Sequence, residues 1–215
     1  MGLRERKKVR TRIALIDAAL DLFLTQGYDA TTIDQIAAEV DVSPRTFFRY
    51  FASKEEVALA LPAEGQEIFL TELAARPESE SPHAALSQAM RSMLGILRDK
   101  DPEEARRFTK ARRVIEATPA LLAGQMCRLM ENERKLVAEV ARRQGTEPDD
   151  LRPQFVVSVF TGMSRVCLGP GPHDPSLIAK RLEDVLALAD ESFRPGWDRP
   201  ADPPHPVPHL HAPCA

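Results

Sequence analysis

A short segment from Ser43 to Phe51 holds the side chains with the clearest chemistry in this sequence. Ser43 suits a helix N-cap, and Pro44 suits the first helical position, where its missing N–H costs nothing. On the helix that follows, Phe47 and Phe51 lie four residues apart and can enter a small core. The remaining positions form an outward arc without acids: Arg45, Thr46, Phe48, Arg49 and Tyr50. Because guanidinium groups recognise guanine edges and hydroxyl groups hold phosphates, this arc predicts contact with the major groove of DNA.

Two residues outside this arc are placed to hold phosphate. Lys54 lies in the first turn of a predicted helix, where a cation opposes the helix dipole unless an external anion compensates. Thr32 opens a capping box with Gln35, and free N–H groups at a helix start form an anion site. One alternative stays open, because aromatic-rich segments are more often core than contact surface, and Phe48 is the least secure member. The predicted DNA contacts are Thr32, Ser43, Arg45, Thr46, Phe48, Arg49, Tyr50 and Lys54.

The elements around these residues read as two helices, a tight turn and a third helix. Apolar residues recur at helical spacing over 11–26, and Gly27 follows as a C-terminal stop. A short second helix covers 33–40, the third begins at Pro44, and a capping box at Ser53 opens a fourth. This order is the layout of a helix-turn-helix DNA-binding module. Short capped helices also occur in many all-α proteins, so periodicity alone leaves an ordinary helical core open.

The remainder of the chain reads as longer helices separated by prolines, with a possible kink at Pro62. The predicted helices cover 53–75, 82–99, 102–117, 119–144, 149–168 and 175–193. Residues 195–215 contain seven prolines, a composition that predicts a mobile tail. The sequence therefore predicts an all-α protein of about nine helices. Its predicted domains are a helix-turn-helix domain with a basic N-terminal arm (1–55), a helical effector-binding and dimerisation domain (56–194) and the tail.

Composition limits the class of protein. The 215 residues carry a net charge of −3, with 43% hydrophobic and 28% charged residues, which is close to the globular average. No run approaches the roughly 18 apolar residues of a membrane span, and the charged N-terminus does not resemble a secretory signal. We therefore expect a cytoplasmic protein. Residues 1–12 hold six basic residues against one acid, a local balance of +5 that favours contact with a polyanion.

The sequence offers little support for catalysis or metal binding. The three cysteines lie far apart without a CxxC pair, which indicates a reducing compartment and no structural zinc site. No Ser/His/Asp or Cys/His arrangement and no Gly-rich phosphate loop is present, so we expect neither an enzyme nor a cofactor. Thiol chemistry at Cys127 or Cys167 is only weakly motivated. His and Cys residues in the Pro-rich tail have metal-ligand types, but we expect no metal there: His205, His209, His211 and Cys214.

Several short motifs follow one another between residues 10 and 58 in a specific order. They are Ala18-Ala19-Leu20-Asp21-Leu22-Phe23, Gly27-Tyr28, Thr31-Thr32-Ile33, Ile36-Ala37, Val42-Ser43 and Thr46-Phe47-Phe48-Arg49-Tyr50-Phe51-Ala52-Ser53-Lys54-Glu55. In this order and spacing they resemble the N-terminal domain of TetR-family transcriptional regulators. The resemblance implies that this domain binds operator DNA, while a divergent helical domain dimerises and binds a small effector.

The resemblance also implies individual roles. It implies that Arg45, Thr46 and Phe48 face the bases. It also implies that phosphate is held by Thr32, Tyr50 and Lys54. Two positions depart from the family pattern: Phe48 stands where tyrosine is common, and Asp34 stands where many members carry a basic residue. The operator sequence is therefore not transferable from the family.

The second domain supplies candidates for an effector pocket and a dimer interface. The predicted pocket residues are Met90, Met93, Leu94, Phe108, Arg112, Met126, Met130, Phe155 and Phe160. At helical spacing these apolar residues can equally form ordinary core, and Arg112 can lie on a salt-bridged face. In relatives, the last two helices form a four-helix dimer interface. The residues predicted to form that interface here are Phe155, Val159, Gly162, Met163, Val166, Leu182, Val185, Leu186 and Ala189.

Together these features predict a homodimeric transcriptional regulator that acts as a repressor. An effector would release it from operator DNA by changing the separation of its two DNA-binding domains. The alternatives are an enzyme and a helical ligand-binding or adaptor protein without DNA binding. The salt dependence of DNA affinity distinguishes the adaptor, because phosphate contacts predict a steep fall in affinity with added salt.

Overall fold

The computed structural model describes residues 2–98, 101–167, 175–193 and 196–199, and within them every regular element is a helix. The ten helices of these residues confirm the predicted all-α class. They are α1 (Leu3–Gln26), α2 (Ile33–Glu39), α3 (Pro44–Phe48), α4 (Lys54–Ala58), α5 (Ala60–Ala74), α6 (Pro82–Arg98), α7 (Pro102–Ala117), α8 (Pro119–Gln144), α9 (Leu151–Cys167) and α10 (Pro175–Ser192). Among the described helices, none has the length and apolar character needed to cross a membrane.

The basic N-terminal segment is helical rather than a separate arm. α1 begins at Leu3, well before the predicted start at Thr11, and its residues remain exposed through Arg10. Arginine and lysine are good helix formers because their straight side chains lose little freedom in a helix. The helix therefore continues from its buried part, Leu15–Phe23, without needing hydrophobic contacts of its own at the start.

The predicted fourth helix is divided, but not at Pro62. α4 ends at Ala58 and α5 begins at Ala60, so the break lies at Leu59, whose φ and ψ are −94° and 5°. Pro62 then lies in the first turn of α5, where a missing N–H removes no intrahelical hydrogen bond. α3 is also shorter than predicted and ends at Phe48, with the next residues forming a turn closed by Tyr50 N–H donating to Phe47 O at 2.8 Å.

Two hydrophobic cores divide the helices in an arrangement that sequence did not predict. The first core joins α1–α4 with Ala111, Val114 and Ile115 of α7 and with Leu121 of α8. The second core joins α5, α6, α9 and α10 with the C-terminal half of α8. α7 was predicted to belong wholly to the second domain, yet its buried face completes the core of the helix-turn-helix domain.

Ion pairs fasten α7 to α1 as well. Arg107 donates to both carboxylate oxygens of Asp17, at 2.6 and 2.9 Å, and its side chain is only 11% exposed. This hydrogen bonding raises the pKa of Arg107. Lys110 pairs with Asp21 one turn further along both helices. A displacement of α7 must therefore act directly on the helix that supports α2 and α3.

Candidate DNA interface

The starts of α2 and α3 are fixed by caps that the sequence predicted. The Thr32 hydroxyl accepts from Gln35 N–H at 3.2 Å, and the Gln35 side chain accepts from Thr32 N–H at 2.9 Å. The Ser43 hydroxyl accepts from Thr46 N–H at 3.2 Å at the start of α3. Between the helices, Asp41 adopts a left-handed φ of 55°, which reverses the chain after α2.

Two buried aromatic side chains orient α3. Phe47 and Phe51 are 0% and 2% exposed in the first core, which confirms the prediction that they point inward. Their ring centroids lie 5.7 Å apart. Because Phe47 of α3 and Phe51, just after the turn that follows it, both point into the core, the other positions of this short helix must face away from the core.

The opposite face of α3 presents the predicted arc to solvent. Arg45 and Arg49 are exposed, and Phe48 is 55% exposed despite being apolar. Thr46 and Tyr50 are half-buried, with Thr46 Oγ1 3.0 Å from Ser43 Oγ and the Arg49 guanidinium 5.3 Å from the Tyr50 ring centroid. The structure thus brings together two guanidinium groups, two hydroxyl groups and an exposed ring. Such a surface can contact phosphates, base edges and thymine methyl groups at once.

Lys54 is a correction to the sequence analysis, because its compensating partner lies within the chain. Its Nζ donates to Tyr28 O at 2.7 Å and to Thr31 O at 2.9 Å, and it lies 4.3 Å from the centre of the Tyr28 ring. The ammonium group therefore organises the loop between α1 and α2. An external phosphate is not needed to offset the charge at the start of α4.

The loop that Lys54 holds contains supporting residues that sequence reasoning missed. Thr31 is 1% exposed, and its hydroxyl donates to Gly27 O at 2.8 Å. Burial raises the pKa of Tyr28, and the nearby carboxylates of Glu55 and Asp29 raise it further, so its phenol stays protonated near neutral pH. Only the position of Thr31 directly before the N-cap Thr32 could have signalled this role.

The predicted effector-pocket residues lie in different environments in the described residues. Met90, Met93, Leu94 and Phe160 are packed in the second core, at 3–8% exposure. Three others are exposed on helix surfaces: Met126, Met130 and Phe155. Phe108 is half-buried, and Arg112 pairs with Glu116 one turn away, as the salt-bridged alternative predicted. A cavity of about 430 Å³ lies elsewhere in the described residues, and none of these side chains lines it.

The predicted dimer residues fall into two groups. On α9, Phe155 and Val166 are 56% and 64% exposed, while Val159, Gly162 and Met163 are partly exposed. The α10 residues are a correction: Leu182, Leu186 and Ala189 are buried and Val185 packs against the same second core. Their apolar spacing reflects packing within the chain. Sequence reasoning missed two exposed apolar residues beside this face, Leu151 at 75% and Leu188 at 60%.

Comparisons with known proteins agree with this geometry. The family profile described as bacterial regulatory proteins, tetR family, matches residues 15–61, and the profile described as MftR C-terminal domain matches residues 80–193. The HTH-type transcriptional regulator TcmR of Streptomyces glaucescens is 48% identical over 206 residues, covering 93% of this chain and 91% of TcmR. RutR of Escherichia coli K12, also an HTH-type transcriptional regulator, is 27% identical over 207 residues, covering 90% and 95%.

A solved structure gives the same fold. The SmeT–triclosan complex covers 93% of this chain and 99% of its own, with a TM-score of 0.54 at 18% identity. These relatives are transcriptional regulators rather than enzymes. With two family profiles that together span most of the chain, and a half-identical regulator aligned along nearly its whole length, the chain belongs to the TetR family and is a DNA-binding transcriptional regulator.

Proposed function

We propose that the chain is a homodimeric repressor that binds an inverted-repeat operator and leaves it when a small effector binds. The observation that carries this proposal is the exposed surface of α3, with Arg45, Phe48 and Arg49 held outward by buried Phe47 and Phe51. SmeT is described as the repressor of the Stenotrophomonas maltophilia multidrug efflux pump SmeDEF. Repression by this chain is consistent with that likeness, and we assign its site of action to the cytoplasm.

Each exposed side chain of the interface has a proposed partner on DNA. Arg45, at the start of α3, reaches base edges. Arg49, at the C-cap of α3, reaches the DNA backbone. The hydroxyl groups of Thr32, Ser43 and Tyr50 contact phosphate, while Thr46 and Phe48 face the bases, where Phe48 contacts a thymine methyl group. Lys54 acts indirectly, by holding the loop before α2.

The exposed face of α9 is the proposed dimer surface. An ideal Cβ at Gly162 meets no atom within 4 Å, so this position leaves room for a second helix to approach closely. Phe155 and Val166 flank it as exposed apolar side chains. Two copies joined there would present two α3 helices to half-sites about 34 Å apart, or a multiple of that distance.

The effector site is proposed beside two glutamine side chains, one on α5 and one on α8. Gln66 Nε2 on α5 and Gln125 Oε1 on α8 are buried without a hydrogen-bond partner among the described residues. A buried donor and a buried acceptor left unpaired are costly, and a ligand with complementary groups would satisfy both. Release from DNA would require the effector to shift α7, whose Arg107 is paired with Asp17 of α1.

Selection from a random double-stranded DNA library on the purified protein tests this function. We expect enrichment of an inverted repeat whose affinity falls steeply between two salt concentrations. Arg45→Ala should weaken binding at least about fivefold, because a bidentate base contact is worth about 1–3 kcal/mol. Arg106→Ala is the matched control, since it removes the same charge from a side chain 71% exposed on α7. A weak DNA affinity that does not change with salt concentration or with Arg45→Ala would favour the adaptor function instead.

A further inference from the structure

The segment 196–199, which the sequence placed in a mobile tail, docks on the second core as a C-terminal clip. Asp198 is 4% exposed, and its Oδ2 accepts from His83 N–H at 2.8 Å at the start of α6. Gln144, at the end of α8, donates to Asp198 O at 2.7 Å. Trp197 stacks on Phe193 with ring centroids 4.6 Å apart. Hydrogen bonds to two helices and an aromatic stack thus fix the clip.

The clip forms one wall of the cavity of about 430 Å³. Its other walls come from α6 and α10 and mix apolar and polar side chains. The lining side chains include Ala84 and Ser87 of α6, Leu186 and Ala189 of α10, Phe193 just after α10, and Trp197 of the clip. This volume lies within the range of about 300–1,000 Å³ that is usual for small-molecule sites.

A polar group in this wall lacks a partner. Ser87 is 4% exposed, and its Oγ forms no hydrogen bond within the part of the chain that the structure describes. A buried hydroxyl without a partner costs about 1–3 kcal/mol, so such groups usually mark a missing water or ligand.

Among the described lining residues, the carboxylate and the guanidinium group are compensated within the chain. The carboxylate of Asp198 occupies the positive end of α6. Arg91, which also lines the cavity, donates through Nε and Nη2 to both oxygens of Glu183, at 2.8–3.1 Å. A charged ligand would therefore lose its hydration, and neither of these two groups would be free to pair with it. An uncharged ligand avoids that penalty.

We infer that this cavity is a second small-molecule site, separate from the effector site proposed above, and that it takes an uncharged planar aromatic ligand bearing a hydrogen-bonding group. The ring packs against the aromatic wall of Trp197 and Phe193, and the polar group pairs with Ser87 Oγ. The inference does not depend on DNA binding or on the effector site, since it uses only α6, α10 and the clip.

Trp197 makes this site directly observable, because it is the only tryptophan of the chain. The experiment titrates the full-length protein with benzamide, an uncharged aromatic amide, and follows tryptophan fluorescence. Benzoate serves as the matched probe of nearly the same shape with a negative charge. We expect a saturable change with benzamide and at least about tenfold weaker binding of benzoate, a difference of about 1.4 kcal/mol.

Variants locate the binding. Ala84→Leu fills the cavity and should remove the saturable response, whereas Ala138→Leu, on the exposed face of α8, should leave it unchanged. Ser87→Ala keeps the shape of the wall and should weaken benzamide binding severalfold while raising the thermal unfolding temperature of the unliganded protein, because the unpaired buried hydroxyl is removed. The absence of a saturable response in the parent protein would overturn the site. Equal binding of benzoate, or an Ala84→Leu response equal to that of Ala138→Leu, would also overturn it.

Discussion

At the scale of single residues, the position of Lys54 correctly predicted that its charge needs a partner, but it did not predict which groups supply one. A cation in the first turn of α4 does require compensation, but the carbonyl oxygens of Tyr28 and Thr31 supply it. We expect Lys54→Met to lower the free energy of unfolding by about 1–2 kcal/mol, because hydrogen bonds to a charged donor are lost and the loop carbonyls are left partly unpaired. Urea unfolding followed by circular dichroism measures this change.

The control for Lys54 is Arg45→Ala, which alters an exposed side chain of the same domain. It should leave the free energy of unfolding within about 0.5 kcal/mol while reducing operator affinity. The opposite pattern, in which Lys54→Met keeps its stability and loses only salt-dependent DNA affinity, would restore the phosphate contact predicted from sequence.

At the scale of elements, α7 connects the two cores. The pair between Arg107 and Asp17 is partly buried, so we expect a coupling energy of about 1–2 kcal/mol from a double-mutant cycle with Arg107→Ala and Asp17→Ala. The pair between Arg106 and Glu103, whose side chains are 71% and 66% exposed, should give only about 0.3–0.5 kcal/mol. Equal coupling in the two cycles would argue against a specific fastening of α7 to α1.

The junction of α5 and α8 depends on pH through Glu139. Arg142 and Arg143 donate to its carboxylate and lower the pKa of Glu139. The side chain of Arg143 is 1% exposed and also donates to Leu73 O and Arg76 O at the end of α5. Because the pKa is lower in the folded state, this stabilisation is present above the unfolded pKa, about 4.3, and is lost as pH falls further.

The corresponding experiment compares Glu139→Gln with the parent protein across pH. We expect the variant to be less stable near neutral pH and the difference to shrink as pH falls below about 4. Glu133→Gln, on the same helix and without an ion pair among the described residues, is the control and should show a smaller difference. A difference that stays constant with pH would show that charge pairing at Glu139 does not matter.

At the scale of the whole molecule, the oligomeric state tests the proposed dimer surface on α9. Val166→Glu places a carboxylate on the proposed dimer surface, and we expect a monomer at micromolar concentration by sedimentation, because a buried unpaired charge is strongly unfavourable. Leu129→Glu makes the same chemical change at a 42% exposed position of α8 and should remain a dimer. Dimer loss in the α8 variant alone would move the interface to that helix.

Most of the helices and several of their ends were predictable from the sequence alone, because capping and proline signals are local. The predicted range of α7 agrees with the structure, since Pro102 begins it and Thr118 and Pro119 end it. Serine caps at Ser43 and Ser53 likewise mark where α3 and α4 begin. The inward positions of Phe47 and Phe51 followed from their spacing on one helix face.

Only the tertiary structure decided which helix faces meet. Lys54 reaches carbonyl groups more than twenty residues away, and α7 packs against α1 rather than in the second core. The α10 residues Leu182 and Leu186 are apolar at the spacing of an interface, yet they pack inside the chain. Helical periodicity predicts that a face is buried but carries no information about the surface that buries it, because that choice is a competition between segments distant in sequence.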